Sequence, residues 1–94
     1  MRDAVIVSTA RTPLTKAIRG ALNNTHTATL GAYSVKAAVE RAGLEGGEID
    51  DVLIGAAVQQ GAQAPNFARL IALRAGLPVT VPAMSIDRQC ASGL

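Results

Sequence analysis

Aromatic side chains are almost missing from this sequence, which has one Phe, one Tyr and no Trp. Basic charge is scarce too: nine Lys and Arg oppose seven Asp and Glu, and they are scattered from Arg2 to Arg88. Nucleic-acid binding therefore has neither its stacking nor its electrostatic signature. A single cysteine cannot form an internal disulfide, which excludes a secreted, stapled framework. That cysteine and the single histidine fall short of the ligand set of a structural metal site. No apolar run approaches the ~20 residues that span a bilayer. Only three residues precede the first apolar run, so neither a signal peptide nor a transit peptide is expected. The expected compartment is reducing and cytoplasmic.

What is present is 94 residues that are 49% apolar, mostly Ala, Val, Leu and Ile. Such small side chains build thin, closely packed layers, and a chain of this size buries a modest share of its surface. The composition suits one wall of a larger core. Ala4 to Ala10, AVIVSTA, is a β-branched run that reads as a strand buried on both faces, ended by Arg11-Thr12-Pro13. Leu14 to His26 has no clean period and reads as a long surface loop. Ala28 to Ala42 follows as a helix capped by Thr25 or Thr27. Its apolar face is Gly31, Val35, Ala38, Val39 and Ala42, and Gly43 forms the left-handed stop. Glu45 to Asp50 is a polar connection. Val52 to Val58 is a second buried strand, in which Gly55 permits a bulge or a close backbone approach. Gln59 to Ala64 is a loop. Pro65 opens a helix reaching about Ala75, with Phe67, Leu70 and Ile71 on its apolar face, and Val81 to Ile86 is a third strand. The order β–α–β–α–β implies an α/β fold with a parallel or mixed sheet.

The third strand runs into a polar turn, Asp87-Arg88-Gln89, and then Cys90 with the small residues Ala91, Ser92 and Gly93. Strand-to-helix turns are where open α/β sheets display reactive groups, and a thiol at a helix start ionises more readily. The bland alternative is a buried structural thiol. A phosphatase-type anion loop would need an arginine a few residues downstream, and Arg88 lies on the wrong side. His26 is the only neutral-pH base, or else a solvated loop or helix-entry residue. Arg11 and Lys16 could meet an anionic ligand or be ordinary surface charge. Gln59, Gln60, Gln63 and Asn66 form an uncharged amide cluster, suited either to a subunit boundary or to plain turns and caps.

Three motifs together resemble the N-terminal part of the thiolase family, the 3-ketoacyl-CoA thiolases and acetyl-CoA acetyltransferases. They are AVIVSTARTPLTK at Ala4 to Lys16, LGAYSVKAAVERAGL at Leu30 to Leu44, and Asp51 to Leu94 with its Cys-x-Ser-Gly-Leu ending. Asp87 stands where many members have Asn. The resemblance implies a β-α-β-α-β portion of a layered α/β/α/β/α fold with a mixed sheet, residues 1–94 being only the N-terminal part of the N-terminal domain. It implies that Cys90 is the nucleophile of an acyltransferase in fatty acid metabolism, attacking an acyl-CoA or 3-ketoacyl-CoA to form an acyl-enzyme in a ping-pong exchange. The Cys90 backbone N–H would supply half of an oxyanion hole. Coenzyme A is a substrate here, and no cofactor or metal is implied. The other implied partners are the remainder of the polypeptide and further copies, as a homodimer or homotetramer, with the third strand and Gln60 to Asn66 near the subunit contact.

The histidine and second cysteine that thiolases use lie far downstream in that family, and His26 matches neither. The expectation is a proteolytic, split or truncated piece that does not turn over alone. A ketosynthase-like condensing enzyme and a non-catalytic assembly module are the rival readings.

Overall fold

The computed structural model describes all 94 residues, Met1–Leu94. Regular structure begins at α1, Thr27–Ala42, and continues through β1, Val52–Gly55, α2, Phe67–Arg74, and β2, Ala83–Ile86. Single 3-10 turns occupy Gly46–Glu48, Gly61–Gln63 and Gln89–Ala91.

The cap of α1 is His26 rather than Thr25 or Thr27: the Ala28 N–H donates to its Nδ1 at 3.2 Å. Imidazole offers the same short-range acceptor as a hydroxyl, so the one histidine takes the capping role. At the other end Gly43 sits at φ 69°, and the N–H groups of Gly43 and Leu44 donate to the carbonyls of Glu40 and Val39. This is the paired closure that a left-handed residue makes possible. The polar connection after it is one 3-10 turn, held where the Glu45 N–H donates to the Glu48 carboxylate at 2.7 Å.

Helix α2 starts at Phe67, two residues later than Pro65 suggests. Asn66 is its cap, accepting from the Arg69 N–H at 3.2 Å. β1 and β2 pair in parallel, with Val52 opposite Ala83 and Gly55 opposite Ile86. Both are shorter than the apolar runs that announce them. The Val52, Ala72, Leu77 and Val81 cluster forms the core, with Val35 and Val39 of α1 packed against it. Ile71, only 1% exposed, is the largest fully buried side chain. A Cβ on Gly31 would come within 2.5 Å of its Cδ1, so the bare glycine lets α1 close on α2.

Two expectations need correction. The first apolar run, Ala4 to Ala10, forms no strand, and Ile6 is 86% exposed. A strand needs a ladder to join and a face to bury, and this run pairs with neither β1 nor β2. The sheet accordingly has two strands, and it is parallel, one of the two arrangements expected. It is also covered on one face only. Val52 is buried, whereas Leu53 and its cross-strand partner Met84 stand exposed on the other face.

Only nine residues are buried, and the chain exposes 7104 Å². A compact protein of this mass would expose about 5,100 Å². The excess, about 2,000 Å², exceeds what one partner contributes to a standard interface. These layers have the surface of a wall rather than of a closed core.

Candidate active site

The end of β2 leads directly into the segment that carries Cys90. Gln89–Ala91 forms one 3-10 turn, and Cys90 is a free, exposed thiol on it. Within these 94 residues the thiol is not buried. Short polar side chains build the turn. The Asp87 carboxylate accepts from the Gln89 N–H at 2.8 Å, supporting a backbone at φ 50° that a residue other than glycine seldom adopts. Ser92 Oγ accepts from the Arg88 N–H at 3.0 Å and donates to the Gln89 carbonyl at 2.8 Å. The Ala91 and Ser92 N–H groups donate to the Arg88 and Gln89 carbonyls, both at 3.1 Å.

These bonds account for the N–H groups of Arg88, Gln89, Ala91 and Ser92. The Cys90 N–H donates to no acceptor in the chain. The turn therefore presents a thiol and a free backbone donor on one residue. That pairing can take up an electrophilic carbon and hydrogen-bond the oxygen attached to it.

The turn is anchored from behind. Ser85, five residues before Cys90, accepts from the Ala68 N–H at 2.9 Å and donates to Asn66 Oδ1 at 2.9 Å. Asn66 Nδ2 donates in turn to the Ala83 carbonyl at 3.0 Å. One cap thus ties α2 to β2. Arg69 adds two bonds to the approach of β2, from Nη1 to the Val81 carbonyl and from Nη2 to the Val79 carbonyl. Neither Ser85 nor Arg69 is conspicuous in the sequence. A serine inside an apolar strand was the available signal for the first.

The other sequence candidates lie elsewhere. His26 has its Nδ1 engaged as the cap of α1. Arg11 turns back on its own chain, donating to the Thr12 carbonyl at 2.9 Å, and Lys16 is exposed. Of the amide cluster, Asn66 is a structural cap, Gln60 precedes a 3-10 turn that Gln63 ends, and Gln59 buries Oε1 without a partner. A cavity of ≈ 510 Å³ lies between the N-terminal segment and α1, where Arg11, Tyr33 and Arg41 are among its lining. Cys90 lines none of the cavities in the chain.

The family described as "Thiolase, N-terminal domain" matches residues 4–94. A 3-ketoacyl-CoA thiolase of Bacillus subtilis (strain 168) is 50% identical over 94 residues, covering 100% of this chain and 24% of the relative. An acetyl-CoA acetyltransferase of Cupriavidus necator is 45% identical over 94 residues, covering 100% of this chain and 23% of the relative. A peroxisomal 3-ketoacyl-CoA thiolase of Arabidopsis thaliana is 38% identical over 92 residues, covering 98% and 21%. The chain spans about a quarter of the length of the curated relatives it matches.

Proposed function

The chain belongs to the thiolase N-terminal domain family, and on that premise we propose that it supplies the acyl-accepting thiol of an acyl-CoA acyltransferase. The observation that carries the reading is Cys90 itself, exposed and beside its own unpartnered N–H. The Cys90 thiolate attacks an acyl carbonyl, and the Sγ–C bond forms as the oxygen takes up negative charge. The Cys90 N–H stabilises that oxygen; one such donor is worth roughly 3–4 kcal/mol where water is excluded. Collapse expels a leaving group and leaves an acyl-cysteine. With acetyl-CoA the leaving group is the coenzyme A thiolate. With a 3-ketoacyl-CoA attacked at its keto carbon it is the acetyl-CoA carbanion, which takes up a proton. A second substrate then accepts the acyl group: coenzyme A in thiolysis, or an acetyl-CoA carbanion in condensation.

Residues 1–94 act in this reading as the N-terminal part of a larger catalytic unit. Cys90 lines none of the cavities, and about 2,000 Å² of surplus surface awaits cover. The polypeptide corresponding to the remaining three quarters of the relatives would bring the substrate-binding walls and the proton-transfer groups. No helix is long and apolar enough to cross a membrane; a cytoplasmic setting and a homo-oligomeric assembly belong to the same proposal.

The test supplies that missing polypeptide, taken from the Bacillus subtilis relative, and adds labelled acetyl-CoA. Peptide mapping should find the acetyl group on Cys90, and Cys90→Ala should take up none. A label of equal yield in the alanine variant would refute the assignment. A label on the isolated chain, equal to that on the complex, would refute the need for a completing partner.

A further inference from the structure

The return leg of the Cys90 turn lies against the end of β1, and the contact falls on Gly55. A Cβ built on Gly55 would sit 1.4 Å from the Ser92 carbonyl oxygen, 2.2 Å from its carbon and 3.1 Å from the Gly93 nitrogen. No other glycine in the chain meets backbone so closely. Gly55 is opposite Ile86 in the ladder, and the Ala56 N–H donates to the Ile86 carbonyl at 2.9 Å. The strand that delivers Cys90 and the strand that receives its turn are therefore registered at the same point. Ser92 closes the loop from the other side, through its Oγ bonds to Arg88 and Gln89.

We propose that Gly55 is a positioning residue for Cys90: its missing side chain seats the turn on β1, and Ser92 locks it there. The proposal rests on the acyl-transfer reading for its catalytic consequence, though not for its geometric one. Any side chain at Gly55 would drive the Ser92 carbonyl back by at least about 1.6 Å to reach the 3.0 Å floor of real Cβ contacts. Misplacement of a reacting group by about 1 Å is enough to cost on the order of 100-fold in rate. Substrate binding, made by walls outside the turn, is spared. The effect falls on kcat rather than KM.

Two substitutions separate seating from general loss of stability. Gly55→Ala crowds the turn, whereas Gly31→Ala crowds Ile71 at the contact of α1 with α2, away from Cys90. Amide hydrogen exchange of Ala91 and Ser92, measured on this chain, reads the turn whether or not the acyl chemistry is right. Turnover is measured on the chain joined by its completing polypeptide. Gly55→Ala should speed exchange at both amides and lower kcat by about 100-fold with KM unchanged. Gly31→Ala should lower the melting temperature and leave both readouts at parent values. Parent-like exchange and kcat in Gly55→Ala overturn the proposal. Should Gly55→Ala lack a cooperative melt, Ser92→Ala decides. It removes the lock without crowding, and it should lower kcat by about tenfold with KM unchanged; an unchanged kcat overturns the proposal. Turnover that survives Cys90→Ala would sink the functional reading, while amide exchange would still decide whether Gly55 seats the turn.

Discussion

AVIVSTA at Ala4 to Ala10 and VLIGAAV at Val52 to Val58 are near-equivalent sequences, short, β-branched and flanked by polar residues. One becomes β1, paired along Val52–Gly55, and the other lies unpaired with Val5, Ile6 and Val7 exposed. The difference is in what surrounds them. β1 has β2 as its ladder and α2 across one face, and the three follow one another along the chain. The N-terminal run has one tie to the helices, the Arg41 side chain donating from Nη1 to the Thr9 carbonyl at 2.7 Å. β-propensity describes fitness for a pleated, half-buried surface, and it does nothing where no such surface is offered.

The contrast breaks most readily at Ile71. Its side chain is 1% exposed and fills the gap that Gly31 opens between α1 and α2. Ile71→Ala removes that contact in a region with little capacity to collapse, and should cost about 2–5 kcal/mol. The measurement is the urea midpoint of the chain. A midpoint equal to the parent's would mean that the helices do not pack as described.

The class of fold was legible because helices and buried strands write distinct periods, and the α1 boundary at Gly43 was legible because a left-handed stop favours glycine. The close approach at Gly55 was also readable, as an isolated glycine in a strand. Strand pairing was not, since a ladder depends on residues distant in sequence. The exposure of Cys90 followed from the polar residues around it, but the free N–H beside it could be found only once each neighbouring donor had been assigned. Asn66 was undecidable in sequence because one amide can serve a subunit boundary or a helix cap equally well. The Arg69 N–H donating to its Oδ1 shows that it caps α2, and Ser85 Oγ, nineteen positions away, donates to the same oxygen.

A smaller effect sharpens the comparison at that clip. Asn66→Ala removes the acceptor for Arg69 N–H and Ser85 Oγ and the donor to Ala83, and should cost about 1–2 kcal/mol. Urea midpoint again reads it, with loss of amide protection confined to the first turn of α2 and to β2. Gly43→Ala, at φ 69° with open space around the new Cβ, should cost about 1 kcal/mol through backbone strain alone. A neutral result there would mean that α1 ends in another way.

The least effect in the isolated chain should come from Ile6→Ala, although it deletes the same atoms as Ile71→Ala. A side chain 86% exposed has almost no apolar area to lose, so the midpoint should stay within about 0.5 kcal/mol of the parent. Adding the completing polypeptide changes the expectation. If that polypeptide supplies the ladder and the covering face, Ile6 becomes a core residue, and the same substitution should weaken the complex by about 2–5 kcal/mol. Binding of the two polypeptides, compared between parent and Ile6→Ala, measures it directly. An unchanged affinity would mean that the N-terminal run stays outside the sheet even in the assembled protein. The contrast with β1 would then belong to the segment itself, not to what surrounds it.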